Sequence, residues 1–303
     1  MIPYQKFQHG MHPARKFSPH PPKPPVESNS RAGRNLPAAT ATAIILLGII
    51  AASLVFYIQI FVVLATIALV IGIWEFSGAV LARNIRVPFI TLSVSVIFMV
   101  LLTWEFGVGA GFLGYLISTT LALGITKYYL GESLRTGIVA VFGLAWIGLS
   151  GVFAIGMAHL PAPTQILTAL ILLPAANDTG GWCAGILFGK HPMVPKISPK
   201  KSWEGFGGSM FLSLLVSYLI VGLFTKLDWP WAILFGVITP FIATAGDFAE
   251  SMIKRDLGIK DMGSVFPGHG GMLDRLDSIL FCAPVFYFLL RWLSARSKFG
   301  SRI

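Results

Sequence analysis

From about Ala39 to Leu293 the chain alternates between long apolar runs and short polar joins. The runs lie near 39–57, 60–81, 88–104, 107–124, 137–158, 165–188, 206–225, 230–252 and 279–295. Each has a length suited to crossing about 30 Å of hydrocarbon as a helix. A helix satisfies its own backbone where no water is available, so the pattern predicts an all-α polytopic integral membrane protein. About nine transmembrane helices are expected, with a polar cavity on the cytoplasmic side. The join near Gln59, between the first two runs, is the least sharply marked. The chain divides into an arm at 1–36, a first group of spans over 37–160, a second group over 161–296 and a basic tail at 297–303.

Composition supports the lipid-facing reading over a large soluble core. Aliphatic, aromatic and cysteine residues make up 55% and charged residues 12%, whereas soluble domains are about a quarter charged. The net charge of +10 is no nucleic-acid signal, because the basic residues sit in the arm and in joins between spans. There they set topology and meet anionic headgroups. With the amino terminus inside, Arg83/Arg86, Lys127/Arg135, Lys190–Lys201 and Lys254–Arg275 all fall on the cytoplasmic side. The joins near Glu105, His159 and Asp228 fall outside. Nine crossings leave Arg291, Arg296, Lys298 and Arg302 outside as well, against the positive-inside rule.

Residues 1–36 hold seven of the nineteen prolines, three of the six histidines and six Lys or Arg. The first apolar run starts too late and runs too long for a cleaved signal peptide, and the segment reads as a disordered basic arm at the cytoplasmic face. His9, His12 and His20 have no standard metal spacing. Cys183 and Cys282 form neither a metal site nor a disulfide framework and read as packing residues.

Several motifs fail on context. Gly109-Ala-Gly111-Phe-Leu-Gly114 spells a dinucleotide fingerprint, but it lies in an apolar span and fits close helix packing instead. Gly185-Ile-Leu-Phe-Gly189-Lys190-His191 is one residue short of a phosphate loop and lacks its Ser/Thr.

Charge of both signs gathers at 247–277, which holds six of the thirteen acidic residues. Intramembrane charge is costly and marks function. Asp247, Glu250, Ser251 and Lys254 are spaced i, i+3, i+4, i+7, which puts all four on one face near the inner end of a helical span. Such a stripe suits a divalent cation with phosphate bound to it, or a set of ion pairs that fix helix packing. Gly268-His269-Gly270-Gly271 allows close backbone approach to an anion and leads into Asp274 and Asp277, which share a face at the start of the last span. With Asp247 opposite, Asp274 would complete a two-metal site for in-line phosphoryl displacement. Arg255, Lys260 and Arg275 would neutralise phosphate charge, and His269 would bind phosphate, orient a ligand or simply shape the turn.

A third piece lies upstream. An Asp178-Thr179-Gly180 turn is expected near the cytoplasmic end of the sixth span. Ile197-Ser198-Pro199-Lys200-Lys201-Ser202-Trp203-Glu204-Gly205 then opens the seventh. Ser202, with Glu204 nearby, suits a helix cap. Lys200 and Lys201 would grip phosphates or a lipid headgroup, or form a plain positive-inside loop anchored by Trp203. Glu75, in Trp74-Glu75-Phe76 of the second span, either snorkels to the surface or marks the intramembrane acidic site of a transporter.

Ser251-x-Ile253-Lys254-Arg255, Lys260-Asp261-x-Gly263 and Phe266-Pro267-x-His269-Gly270-Gly271-Met272-x-Asp274-Arg275-Leu276-Asp277 together resemble the phosphatidate cytidylyltransferases (CDP-diacylglycerol synthases). The ISPKKSWEG stretch and the Asp178-Thr179-Gly180 block are similar too, so the resemblance covers about 174–280. Gly181-Trp182 departs from the small residue and tyrosine expected there, and the proline-rich arm is not a family feature. The resemblance implies that Asp247 and Asp274 hold Mg²⁺, with a second ion, divalent or K⁺, beside it. Ser251 and Lys254 would bind phosphate, supported by Asp277 and Glu250. The candidate catalytic set is then Asp247, Ser251, Lys254, Asp274 and Asp277. The candidate substrate-binding set is Asp178, Ser198, Lys200, Lys201, Arg255, Lys260, His269 and Arg275. CTP and phosphatidate are the implied substrates, at the cytoplasmic face of the inner membrane. No nucleic acid is involved, and a homodimer is permitted. A cytidylyltransferase for another lipid phosphate, such as an isoprenoid ether lipid, would carry the same motif. The D-G…A-R…G…D…D pattern of CDP-alcohol phosphotransferases is not found.

Overall fold

The structure, a computed structural model, describes residues 18–22, 48–195, 197–222, 229–265 and 270–300. The chain is built of helices, taken in order. Helix α1 occupies 48–56, α2 Ile58–Leu81, α3 Phe89–Phe106 and α4 Val108–Gly124, which runs on through a π turn at Ile125–Tyr129. Helix α5 begins at Leu134–Gly143 and continues without a break to the 3₁₀ turn Met157–His159. Next come α6 (Pro163–Phe188), α7 (Trp203–Ser217, extended by a π turn at Tyr218–Gly222), α8 (Trp229–Leu257) and α9 (Leu273–Gly300).

Among the described residues, seven helices are long and apolar enough to cross a membrane: α2, α3, α4, α5, α7, α8 and α9. The sequence predicts about nine. Helix α6 is long but falls outside the seven, because its second half carries Asn177, Asp178 and Thr179 among glycines. Asp178-Thr179-Gly180 is therefore not a turn, as expected from sequence, but the interior of a helix.

Contacts across the ends show that the helices alternate in direction. On one side Arg83, after α2, donates to the Asp256 carbonyl at the end of α8. On the other, His159 Nε2 meets the Trp104 carbonyl at 3.0 Å, and Thr164 donates to Leu54 O at 3.0 Å.

Two apolar clusters hold the bundle together. One joins Ile73 and Phe76 of α2 to Leu92 and Val96 of α3, Leu144 and Ile147 of α5, and Leu273 and Leu280 of α9. The other joins Leu167 and Leu170 of α6 to Phe235 of α8 and to Cys282 and Phe286 of α9. Cys282 thus packs as expected, whereas Cys183 is exposed. His20, from the proline-rich arm, lies edge-on to Trp74 of α2 with ring centroids 5.2 Å apart.

Lipid tails are as apolar as the helices, so close packing of small residues has to carry much of the association. Helices α6 and α7 meet backbone to backbone. A Cβ added at Gly180 would lie 2.4 Å from Gly208 O, and one at Gly208 would lie 2.5 Å from Gly180 O. Gly111 and Gly114 likewise let α4 approach α3, where added Cβ atoms would strike Thr103 and Leu102. The dinucleotide-like spelling is a packing seam.

Gly207, next to the α6–α7 contact, has nothing within 4 Å of an added Cβ. Gly208→Ala should therefore lower thermal stability in detergent by about 1–3 kcal/mol through overpacking. Gly207→Ala should leave it unchanged or slightly raised, since alanine favours the helix by about 1 kcal/mol. Equal effects at the two positions would contradict the backbone contact.

Candidate active site

The inner end of α8 carries the acidic stripe, and helical spacing alone places Asp247, Glu250, Ser251 and Lys254 on one face. The Lys254 ammonium lies 3.2 Å from Glu250 Oε1 and 2.9 Å from Asp274 Oδ1 in the first turn of α9. Glu250 is fully buried, and its Oε2 has no hydrogen-bond partner among the described residues. Asp277, one turn further along α9, accepts from Ser278 N at 2.6 Å and lies beside Glu250, Asp247 and Asp178. Ser278 Oγ donates to Ala243 O at 3.2 Å, which ties α9 to α8 above the acids.

Asp274 also organises the described stretches 258–265 and 270–272 that precede α9. Its carboxylate accepts from Met262 N at 2.9 and 3.1 Å, one contact to each oxygen, and from Gly271 N at 2.8 Å. With Lys254 at 2.9 Å, these contacts fill the roughly four acceptor positions of a carboxylate. Gly270 has φ of 81°, a left-handed conformation that glycine adopts without steric cost.

The remaining pieces come from α6 and from a hairpin absent from the sequence reading. Strand β1 (Pro192–Val194) pairs antiparallel with β2 (Ser198–Ser202), matching Pro192 with Ser202 and Val194 with Ser198. Glu204, in the first turn of α7, fixes the hairpin by accepting from Lys190 N and His191 N at 3.1 and 3.2 Å and meeting His191 Nδ1 at 2.5 Å. Ser202 caps α7 through Gly205 N at 3.1 Å, as the sequence suggests. The hairpin thereby delivers Lys201 to the acids. Its ammonium pairs with Asp247 Oδ2 and lies over the Phe248 ring, 4.9 Å from the centroid. Asp178, from α6, accepts from Asn177 Nδ2 at 3.0 Å and faces Lys201, Asp247 and Arg275.

Asp178, Lys201, Asp247, Lys254, Asp274 and Asp277 are therefore brought together, with Arg275 at the edge. Ser251 Oγ reaches Asp247 Oδ1 only at 3.5 Å. Ser198 takes part in the hairpin, and Lys200, Arg255 and Lys260 are exposed. His269 lies outside the described residues.

Glu75 is the group the sequence reading misplaced. It does not snorkel: it is 2% exposed, and its Oε2 accepts from Leu273 N at 2.8 Å at the start of α9. Glu204 and Asn177 also went unread as site residues. A serine cap followed by an acid was the available signal for Glu204.

The donor set is oxygen only, with five carboxyl groups (Asp178, Asp247, Glu250, Asp274, Asp277) around the ammonium groups of Lys201 and Lys254. Hard divalent cations prefer such donors, and the unpartnered Glu250 oxygen fits a site short of positive charge. Among the described residues, however, no three His, Cys, Asp or Glu side chains converge as a ready-made cage. Carboxylates interleaved with lysines on a membrane-embedded frame are suited to binding and polarising phosphate groups.

Comparison with known proteins gives a consistent picture. Residues 37–293 match the model of the family described as the Cytidylyltransferase family. The phosphatidate cytidylyltransferase of Mycobacterium leprae is 36% identical over 289 residues, covering 88% of this chain and 91% of that protein. The protein of the same name from Mycobacterium bovis is 35% identical over 288 residues, covering 89% and 92%. That of Aquifex aeolicus is 43% identical over 119 residues, covering 38% and 42%.

Lys254 is the cation shared by Glu250 and Asp274, so Lys254→Met should lower stability by about 3–5 kcal/mol, the usual effect of breaking a buried pair. Adding Glu250→Gln should recover part of that loss. Thermal unfolding in detergent would check both. A Lys254→Met protein as stable as the parent would mean that the triad contributes nothing to the fold.

Proposed function

The chain belongs to the cytidylyltransferase family, and we propose that it transfers the cytidylyl group of CTP to phosphatidate, giving CDP-diacylglycerol and pyrophosphate. The observation that carries this reading is the convergence of Lys201 and Lys254 with Asp178, Asp247, Asp274 and Asp277 at the polar ends of membrane helices. The relatives named for this reaction match most of the chain.

A phosphate oxygen of the lipid attacks the α-phosphorus of CTP, and pyrophosphate leaves from the opposite side. The nucleophile is already anionic near neutral pH, so no strong general base is needed. Alignment and charge neutralisation are the main demands. Lys201 and Lys254 would neutralise phosphate oxygens, with Arg275 beside Asp178 at the rim. Ser251 would donate to a phosphate oxygen. Asp247 would hold Mg²⁺, and Asp274, whose acceptor positions are filled here, would join it once Lys254 turns to a phosphate oxygen. The ion would supply Lewis-acid stabilisation of the phosphates when bound. Lys200, Arg255 and Lys260, all exposed, would attract the polyanionic nucleotide from solution.

The lipid explains the setting. Trp182, Ile186, Phe188 and Trp203 are exposed on α6 and α7, leaving an apolar surface along which acyl chains can lie while the phosphate reaches the acids. The basic joins at this end of the bundle favour a cytoplasmic orientation under the positive-inside rule, and on this reading the site lies at the cytoplasmic face of the inner membrane.

Purified protein in detergent with Mg²⁺ and phosphatidate should release pyrophosphate from CTP and not from ATP, GTP or UTP. Asp247→Asn and Asp274→Asn should each lower the rate by about a hundredfold or more, as loss of a charge-stabilising group does. Release that is indifferent to nucleotide, or that proceeds without lipid, would contradict the assignment. Release only with a different lipid phosphate would reassign the acceptor.

A further inference from the structure

Glu75 lies in the second helix, far in sequence from every motif residue, yet it sits directly beneath the loop that leads into α9. Its Oε2 accepts from Leu273 N at 2.8 Å, and the backbone N–H groups of Met272 and Val265 lie beside the carboxyl. Its Oε1 makes no hydrogen bond among the described residues. Two glycines of the motif are shaped around this side chain. A Cβ added at Gly263 would lie 2.1 Å from Glu75 Oε1, and one at Gly271 would lie 2.5 Å from Oε2 and 2.7 Å from Oε1. Neither glycine has a positive φ, so backbone conformation does not demand glycine there. The space taken by Glu75 does.

The same loop is held from its other side by Asp274, through Met262 N and Gly271 N. The segment is thus gripped between two carboxyl groups, one from α9 and one from α2. Gly271 touches both, donating its N–H to Asp274 at 2.8 Å while presenting its bare Cα to Glu75.

We propose that Glu75 is a positioning residue for cytidylyl transfer: it anchors the first turn of α9 and the Gly263 and Gly271 backbone, and so sets where Asp274 and Lys254 stand. This deepens the transferase reading and rests on it. Glu75 touches no substrate. It acts through the loop, and it links the first group of helices to the chemistry of the second.

The test combines hydrogen exchange, kinetics and a mutant cycle on the full-length protein in detergent. Removing a buried acceptor from a backbone N–H should speed amide exchange in the 262–275 segment about tenfold in Glu75→Ala. kcat should fall about a hundredfold through misplacement of the site, with little change in KM for CTP. Glu75→Gln keeps an acceptor for Leu273 N–H and should restore most of kcat. Glu75→Asp, shorter by one methylene, should behave like Glu75→Ala and serves if the alanine variant does not fold. Gly271→Ala should be damaging in the parent and nearly neutral once Glu75→Ala has removed the carboxyl. Unchanged exchange, exchange that rises with kcat intact, or a Gly271→Ala penalty that persists in the Glu75→Ala background would each overturn the proposal. If the parent shows no transfer at all, the transferase reading fails, while exchange and the stability cycle still judge the brace.

Discussion

A buried carboxylate must be satisfied, and the way Asp274 is satisfied organises this end of the molecule. Its two oxygens take an ammonium from α8 and two backbone N–H groups from the loop between α8 and α9. Charge-assisted hydrogen bonds of this kind are about twice as strong as neutral ones. They let one side chain fix a segment that also packs Met262 and Ile259 into the apolar cluster beneath it. Lys254 extends the arrangement to Glu250, and Asp277 extends it toward Asp247 and Asp178. The geometry of five carboxyl groups from three helices thus depends on interactions that begin at one residue.

Lipid contributes a second constraint. Helices in hydrocarbon gain little from hiding apolar faces from one another, so they must touch closely to associate. Helices α6 and α7 do so at Gly180 and Gly208, where the two backbones meet. That contact places Asp178 on the side facing the hairpin and α8. The hairpin, held by Glu204, brings Lys201 onto Asp247. A packing device and a charge device therefore converge on one polar patch. Such a patch belongs at a membrane surface, where a lipid phosphate and a soluble nucleotide can meet.

Much of this was legible in the sequence. Apolar runs of spanning length mark the helices, and the i, i+3, i+4, i+7 spacing from Asp247 to Lys254 places one face of the site without further information. The Asp274/Asp277 pair is equally plain. Three features were not. Asp178-Thr179-Gly180-Gly181 carries turn-forming residues, but its glycines serve a backbone contact whose partner lies some thirty residues downstream. The short hairpin at 192–202 has no alternating pattern to announce it. Glu75 looked like an isolated acid in an apolar span, because the link to Gly263, Gly271 and Leu273 exists only in three dimensions. Local periodicity is written in the sequence, while long-range contacts that fill a glycine's empty space are not.

On the proposed reading, these carboxylates and lysines direct a lipid phosphate onto the α-phosphorus of CTP. Position-specific labelling tests it most directly. With phosphatidate, Mg²⁺ and purified protein, label at the α-phosphate of CTP should enter the chloroform-soluble fraction, while label at the γ-phosphate should leave as pyrophosphate. Lipid carrying the γ-label, or no lipid labelled from either position with folded protein, would contradict the account.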